Sequence, residues 1–396
     1  MIRRFSHHAR GSAGGSGAHE VVIVGAGVCG LSVAQRLKRR GIECFVLDEA
    51  ERAAEPWRRR HPQLRMNTHR ALSGLPGLPL PRDDGPFVGR DAVIGYIEEY
   101  QRRFALPVEY GVRAERIERV GGEWDVRTTA GGLRARHVVV ATGREREPVI
   151  PPWPGAERYA GRLLHAADFG SVEDYRDRRV LVVGAGNSGT DLLNHLARVP
   201  TRQLWVSVRH GPAVIPTRLA GFPVQRMAAL MSRLPVPVVD AMLSATERIA
   251  FGNLRRHGLP RHPDGAATRL LRDGVAPAAD DGFVAALKSG RVAAVPAVQE
   301  FDGANVVLTD GTALEPDVVI CATGYRPGLE PLLGHLGVLD ERGLPRPPGD
   351  EVYDAAPGLW PIGMWPRLEG NFYAAGVESR RIAAGISRGL SGARSA

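Results

Sequence analysis

Three glycines, Gly25, Gly27 and Gly30, stand at G-x-G-x-x-G spacing directly after the apolar run Val21-Val22-Ile23-Val24. Glycines so placed suit phosphate binding: a tight turn at Gly25, close backbone approach to a pyrophosphate at Gly27, and helix-on-strand packing at Gly30. The phosphates would sit on the unpaired N–H groups that open the following helix, which runs through Leu31, Ala34 and Leu37. With 48 glycines in 396 residues the triplet alone is a weak signal, so its context carries the weight. A second apolar run, Phe45-Val46-Leu47, ends in Asp48, and an acid at that strand end fits the 2′-hydroxyl of an adenosine ribose. Glu49 beside it leaves the assignment open, with Asp48 preferred.

The same unit recurs. Val180-Leu181-Val182-Val183 lead into Gly184-Ala185-Gly186-Asn187-Ser188-Gly189, then helical Leu192, Leu193 and Leu196, then the strand Leu204-Trp205-Val206-Ser207-Val208. Two complete units imply two dinucleotides. Their second strands end differently, the first in Asp48 and the second in Arg209-His210. A carboxylate repels a 2′-phosphate, whereas a guanidinium binds one through paired hydrogen bonds. The first site therefore suits FAD and the second NADPH, with Arg209 as the phosphate reader and the turn residues Gly184, Gly186, Asn187, Ser188 and Gly189 as the cradle.

Both units require buried strands, and two further segments echo each other as crossing points between domains. His137-Val138-Val139-Val140 enters Ala141-Thr142-Gly143, and Asp317-Val318-Val319-Ile320-Cys321 enters Ala322-Thr323-Gly324. In each the Thr-Gly pair, Thr142-Gly143 and Thr323-Gly324, lets the backbone pass close to a ligand. The expected fold class is α/β with two Rossmann-like dinucleotide-binding domains, the NADPH domain inserted into the FAD domain. The expected spans are a disordered tail over 1–19, the FAD domain over 20–172 and 317–396, and the NADPH domain over 173–316. Gly121-Gly122 reads as a hairpin before the alternating strand Glu123 to Thr128. Val224, Met227, Met231 and Leu234 recur at helical spacing, with Pro235 and Pro237 ending that helix. This methionine stripe is expected to be core, with the wall of an apolar substrate channel as the alternative.

Composition places the chain among globular proteins, at 43% hydrophobic and 24% charged residues. The net charge of +9 raises the question of nucleic acid or a membrane surface. The 52 basic residues, all Arg except Lys38 and Lys288, are interleaved with 43 acids along the chain, which reads as mixed solvated surface and not as a phosphate-tracking stripe. No nucleic-acid partner is expected. Cys29, Cys44 and Cys321 are too few and too scattered for a disulfide framework or a Cys-x-x-Cys pair, so a reducing cytoplasm is the default and no metal site is expected. The stretch from Phe222 to Phe251 is interrupted by Arg226, Arg233 and Asp240, so no membrane span is expected there. Arginine excess over lysine suggests a high-GC bacterial genome.

With these residues in hand, the chain resembles the class B flavin-containing monooxygenases. Tyr159 to Phe169, read Tyr-Ala-Gly-Arg-Leu-Leu-His-Ala-Ala-Asp-Phe, matches the family signature FxGxxxHxxxY/F with Tyr at the first position. Baeyer–Villiger relatives carry Trp followed by Pro or Asp at its end, whereas this chain has Phe169-Gly170. The resemblance runs from His19 to about Ile386 and is closest to the YUCCA-type branch, which oxidatively decarboxylates indole-3-pyruvate. It is carried by GAGNSGTDLLNHL from Gly184, FGNLRRHGLPRHPDG from Phe251, LKSGRVAAVP from Leu287 and CATGYRP from Cys321. It implies that NADPH reduces FAD, that reduced FAD captures O2 as a flavin (hydro)peroxide, and that this adduct oxygenates a small substrate. Asn67 would lie near the flavin and its oxygen adduct, and Trp57 in a turn near the flavin, although Ala54-Glu55-Pro56 replace that turn's usual glycines. His165 would lie at the domain junction beside NADPH, and Gly363 in the closing segment that approaches the flavin ring. Small-molecule substrate and O2 are the expected partners, with a homodimer as an expected assembly.

Three other functional classes share this plan. An NADPH oxidase or dehydrogenase would use the same cofactors without oxygen insertion, and a noncatalytic flavin-binding redox sensor would let one fingerprint decay, whereas both glycine triplets stand here. A disulfide reductase would need a cysteine pair against the flavin, and none follows Asp48. Arg218, Arg261 and Arg326 are candidate partners for a substrate carboxylate.

Overall fold

A computed structural model of the chain describes residues 18–347, 354 and 356–395. The tail expected over 1–19 lies outside these except for Ala18 and His19, and His19 opens the first strand. The first sheet is built on β1 (His19–Val24), β2 (Cys44–Asp48), β3 (Glu109–Tyr110), β4 (Ala114–Val120), β5 (Glu123–Thr128) and β6 (Gly131–Val140), in the spatial order β3-β2-β1-β6-β5-β4. Strands β3, β2, β1 and β6 run parallel, and β4, β5 and β6 form an antiparallel meander. Gly121 and Gly122 both have positive φ, at 60° and 87°, the backbone that a tight hairpin turn between β4 and β5 needs. The strand Leu359–Pro361 returns to this sheet beside the end of β6.

The continuous apolar run of β1 is explained by covering on both faces. Val21 and Ile23 pack with Leu31, Ala34 and Leu37 of the helix Val28–Lys38, and with Ile382, Ala383 and Ile386 of the C-terminal helix Asn371–Ser395. Val22 and Val24 face the other way, against Trp124, Val126 and Leu359. At roughly 1.5–3 kcal/mol for each such side chain, this two-sided burial fixes β1 as the centre of the domain.

The second sheet contains five parallel strands in the order Ala293–Val295, Gln203–Ser207, Arg179–Val183, Val318–Cys321, Arg162–His165. Its central strand is double-faced too, with Val180 and Val182 in one core and Leu181 and Val183 in another. All five strands come from the chain between Val140 and Leu359, so the second sheet is inserted into the first.

This pairing moves the boundaries expected at 172/173 and 316/317. Arg162–His165 and Val318–Cys321 both belong to the second sheet, where Val318 pairs with Arg162 and Val180. Their apolar runs announced buried parallel strands without saying which sheet would bury them. The insert also departs from the expected single helix. Val224–Met227 forms a 3-10 turn and Ala228–Met231 a short helix, while Pro235 and Pro237 open the helix Val236–Phe251 instead of ending the one before. Proline lacks the N–H that a first helical turn leaves unpaired, so the start is where it costs least. Of the stripe expected to be core, Met231 is buried with Val239 and Leu243, Val224 and Met227 are half-buried, and Leu234 is exposed.

Candidate functional site

The two glycine turns are near copies. In the first, a Cβ placed on Gly25 would lie 2.5 Å from the carbonyl oxygen of Ala141, and one on Gly30 would lie 1.9 Å from the carbonyl oxygen of Gly25. In the second, Gly184 meets the Ala322 carbonyl oxygen at 2.7 Å, and Gly189 meets that of Gly184 at 1.9 Å. Gly25 and Gly184 have φ of 105° and 98°, left-handed backbone that favours glycine. Each Ala-Thr-Gly crossing segment is thus pressed against one glycine turn: Ala141 on the first, Ala322 on the second.

The space for ligands lies on the other side. A Cβ on Gly27, Gly143, Gly186 or Gly324 would meet nothing within 4 Å. The helices that begin at Val28 and Asn187 have Gly27 and Gly186 as N-caps and no side-chain cap, leaving first-turn N–H groups for an anion. Thr142 Oγ1 is buried beside the first turn without a hydrogen-bond partner. Uncapped amides and open glycine faces fit a dinucleotide at each turn, and the first adds an orphaned hydroxyl. Asp48 Oδ2 accepts from Ala26 N at 2.6 Å and Oδ1 from Ala50 N at 2.8 Å, which ties the acid to the first turn. Burial pushes its carboxyl above the ordinary value against the pull of those two amides. Lone pairs remain for a ribose hydroxyl. Arg209 is exposed two residues beyond Ser207 and makes no ion pair among the described residues. Thr323 Oγ1 donates to the Val149 carbonyl.

Between the turns the structure brings together residues far apart in sequence. Asn67 Nδ2 donates to Asn187 Oδ1 at 3.2 Å, and Asn187 Nδ2 donates to the Ala276 carbonyl at 3.4 Å. The amide on the first domain's loop therefore touches the first residue of the second glycine helix, at the junction where the two ligands would face each other. Gln225 holds this loop from the insert: its Oε1 accepts from His69 N at 2.6 Å, and its Nε2 donates to the Leu368 and Glu369 carbonyls.

His165 has Nδ1 accepting from Ala167 N, so Nε2 carries the proton and donates to the Gly324 carbonyl at 3.0 Å. Burial lowers its pKa. It is a neutral, packed residue that fixes the second Thr-Gly segment, with Tyr325 edge-on at 4.8 Å. Ala54 has φ 59°, so an alanine occupies the left-handed conformation that glycine would supply, and the short helix Glu55–Arg58 places Trp57 edge-on to Phe372 at 6.0 Å. Gly363, φ 73°, lies against Cys29, and its N–H donates to Glu378 Oε2 at 2.9 Å. Burial pushes the Cys29 thiol up to about 12 and the Glu378 carboxyl above its usual range. The three candidate carboxylate readers do not converge: Arg218 stacks on Phe87 and Arg261 donates to Ser244, while Arg326 lies in a short strand paired with Glu147–Pro148.

Sequence reasoning missed a second tie across the domains. His61 Nε2 lies 2.7 Å from Asp191 Oδ2, and His195 Nε2 lies 3.6 Å from Asp191 Oδ1. Burial raises the Asp191 carboxyl, but hydrogen bonds from His195 and His61 outweigh it and hold the acid below its ordinary value. The His61 ring also packs edge-on to Phe169, the last residue of the Tyr159–Phe169 signature, at 5.4 Å. No local period predicts a contact between a loop of one domain and a helix of the other. A double-mutant cycle of His61→Phe and Asp191→Asn, read by urea unfolding, is expected to give a coupling of about 0.5–3 kcal/mol. Additive effects would mean that the pair does not tie the domains.

Comparison with known proteins agrees with this fold. Residues 22–212 match the family model described as pyridine nucleotide-disulphide oxidoreductase. That match covers the two-turn plan, while all three cysteines of this chain stand free. The indole-3-pyruvate monooxygenase YUCCA1 of Oryza sativa subsp. japonica is 33% identical over 352 residues, covering 87% of this chain and 86% of the relative. Among solved structures, a flavin-containing monooxygenase from Stenotrophomonas maltophilia superposes with a TM-score of 0.69 at 24% identity, covering 94% of this chain and 99% of that one. An oxidised steroid monooxygenase bound to NADP gives 0.70 at 19% identity, covering 94% and 85%. The chain belongs to the YUCCA-type family of flavin-dependent monooxygenases, within the class that uses FAD and NADPH.

Proposed function

We propose that this chain inserts one atom of O2 into a small aromatic or amino-acid-derived substrate, with a 2-oxo acid as the leading class and an amine or sulfide next. FAD would lie on the Gly25–Gly30 turn with Asp48 on its ribose, and NADPH on the Gly184–Gly189 turn with Arg209 on its 2′-phosphate. For a 2-oxo acid the balance is complete: substrate, O2, NADPH and a proton yield the acid shortened by one carbon, CO2, NADP⁺ and water. Hydride acceptance and oxygen activation belong to the bound flavin. This chain's residues bind, orient and shield.

The observation that supports the reading best is the Asn67–Asn187 contact, which stations an amide donor at the junction of the two turns. An amide would offer a hydrogen bond to a developing oxygen anion without supplying an acidic proton, so its role there would be to stabilise charge. His165, neutral and already donating to Gly324, holds the crossing segment and takes no proton from substrate. The 2-oxo acid preference rests on the YUCCA relatives, whose name carries indole-3-pyruvate.

The test is anaerobic reduction of the purified protein by NADPH, then rapid mixing with oxygenated buffer while flavin absorbance is followed. A transient spectrum that is neither reduced nor oxidised flavin, shortened by the true substrate among 2-oxo acids, amines and sulfides, is the expected result. Asn67→Ala should leave reduction by NADPH nearly unchanged and shorten that transient about 10²–10³-fold, the range for losing one donor to a developing anion. Direct return to oxidised flavin with every candidate present would favour an oxidase. Slowed reduction with an unaltered transient would remove Asn67 from its role.

A further inference from the structure

Arginine exceeds acid in several stretches of the chain, and one of them also exposes an apolar helix face. From Phe222 to Arg256 the basic residues are Arg226, Arg233, Arg248, Arg255 and Arg256, and the only acids are Asp240 and Glu247. Both acids are turned inward: Asp240 accepts from Ala267 N at 2.6 Å and from the Thr268 hydroxyl, and Glu247 accepts from Val214 N at 3.1 Å. All five arginines are exposed, and none of them makes an ion pair among the described residues. Arg226 instead lies over the ring of Phe222.

The same segment exposes large apolar side chains. Ile249 is 74% and Leu230 54% exposed, and Phe222, Leu234, Val238 and Met242 are exposed as well. On the helix Val236–Phe251, Val238, Met242, Ala245 and Ile249 fall within about 60° of one another, while buried Val239 and Leu243 face about a third of a turn away. One stripe of the helix holds it to the protein and a second apolar stripe has no partner among the described residues. An exposed apolar stripe with unpaired Arg248 on the same helix, and unpaired Arg255 and Arg256 just past its end, fits a helix lying in a membrane interface, apolar side chains in the acyl boundary and guanidinium groups among the phosphates. A second copy is a poorer occupant, since like arginines of the two copies would meet while the segment's two acids are already engaged with backbone amides.

We propose that Phe222–Arg256 is a docking surface for anionic lipid, which seats the protein on a membrane without spanning it. No helix among the described residues is long and apolar enough to cross a membrane. Seating by this face would let an apolar substrate be delivered from lipid.

The experiment is co-sedimentation of the purified, FAD-loaded full chain with vesicles of phosphatidylcholine alone and of phosphatidylcholine mixed with phosphatidylglycerol. Binding is expected to the mixed vesicles only and to fall as salt is raised, because each arginine acts within a Debye length of the charged surface. Val238→Ser/Met242→Ser/Ile249→Ser, checked for unchanged flavin content and circular dichroism, should lower partitioning at least about tenfold, as should Arg255→Ser/Arg256→Ser. Failure of the parent protein to sediment with the mixed vesicles would overturn the proposal, as would parent-level binding by the apolar variant. A parent dimer in analytical ultracentrifugation that the apolar variant dissolves, without vesicle binding, would assign the face to a second copy instead.

Discussion

Gly189→Ala is expected to yield a yellow protein that NADPH cannot reduce, and Gly30→Ala a colourless one. The two substitutions are chemically identical and sit in near-identical surroundings, with the added methyl 1.9 Å from a backbone carbonyl oxygen in each turn. Neither oxygen belongs to a flexible side chain, and behind each stands the Cβ of a crossing alanine, Ala322 at 3.2 Å or Ala141 at 3.4 Å. The helix must therefore move away from its turn. Overpacking of this kind costs about 1–3 kcal/mol even against side chains, and here the displaced groups are the N–H donors that would hold pyrophosphate. A loss of about 3 kcal/mol is roughly a hundredfold in affinity. Flavin absorbance per mole of purified protein reads the first turn, and the NADPH dependence of anaerobic reduction reads the second. The reverse pattern, colourless Gly189→Ala and yellow Gly30→Ala, would exchange the two ligands between the turns.

That contrast is available because so much of the site is local in sequence. Gly25, Gly27 and Gly30 are read from their spacing together with the apolar run before them and the helix after, since a strand, a turn and a helix start occupy consecutive residues and their demands fall on fixed positions. Asp48 follows because β2 pairs with β1 in parallel register, Val24 beside Leu47, which brings the strand end to the turn. The echo between Ala141-Thr142-Gly143 and Ala322-Thr323-Gly324 was legible as a pattern, but its meaning was not. Each Ala is a wall for one glycine turn, so each segment belongs to the sheet carrying that turn, and the second therefore lies in the inserted sheet. A run such as Val318-Val319-Ile320 records that a strand is buried and is silent about its neighbours.

Contacts that side chains make to residues remote in sequence left no trace. His61 with Asp191, Asn67 with Asn187 and Gln225 with His69 join segments whose own periodicities are satisfied without them. The exposed stripe of Val236–Phe251 was hidden for a related reason. Its helix is apolar on two faces, and sequence hydrophobicity does not say which face the protein covers. Ala54 shows the opposite case, where a missing glycine suggested altered backbone and the surrounding fold imposes the left-handed conformation on alanine.

Arg209→Ala is expected to lower kcat/KM for NADPH about 10–100-fold while changing that for NADH less than about twofold, because charge-assisted hydrogen bonds contribute roughly 1.5–3 kcal/mol each. The asymmetry between the two strand ends carries the argument. Asp48 is held by two backbone amides and cannot turn away, so a phosphate on the first ribose would face a fixed negative charge. Arg209 stands exposed at the equivalent end of Gln203–Ser207 with no carboxylate paired to it among the described residues, leaving its guanidinium free for a dianionic group that NADH lacks. His210 is the neighbouring alternative, but its ring lies edge-on to His262 at 5.7 Å, so it is partly engaged. Arg209→Glu should lower NADPH use further than Arg209→Ala and still spare NADH, since repulsion is added to the lost attraction. Steady-state kinetics with both coenzymes at fixed ionic strength reads all three variants, His210→Ala included. Equal losses with NADPH and NADH would make Arg209 a structural residue, and a loss confined to His210→Ala would move the phosphate contact by one residue while leaving the nucleotide on the same turn.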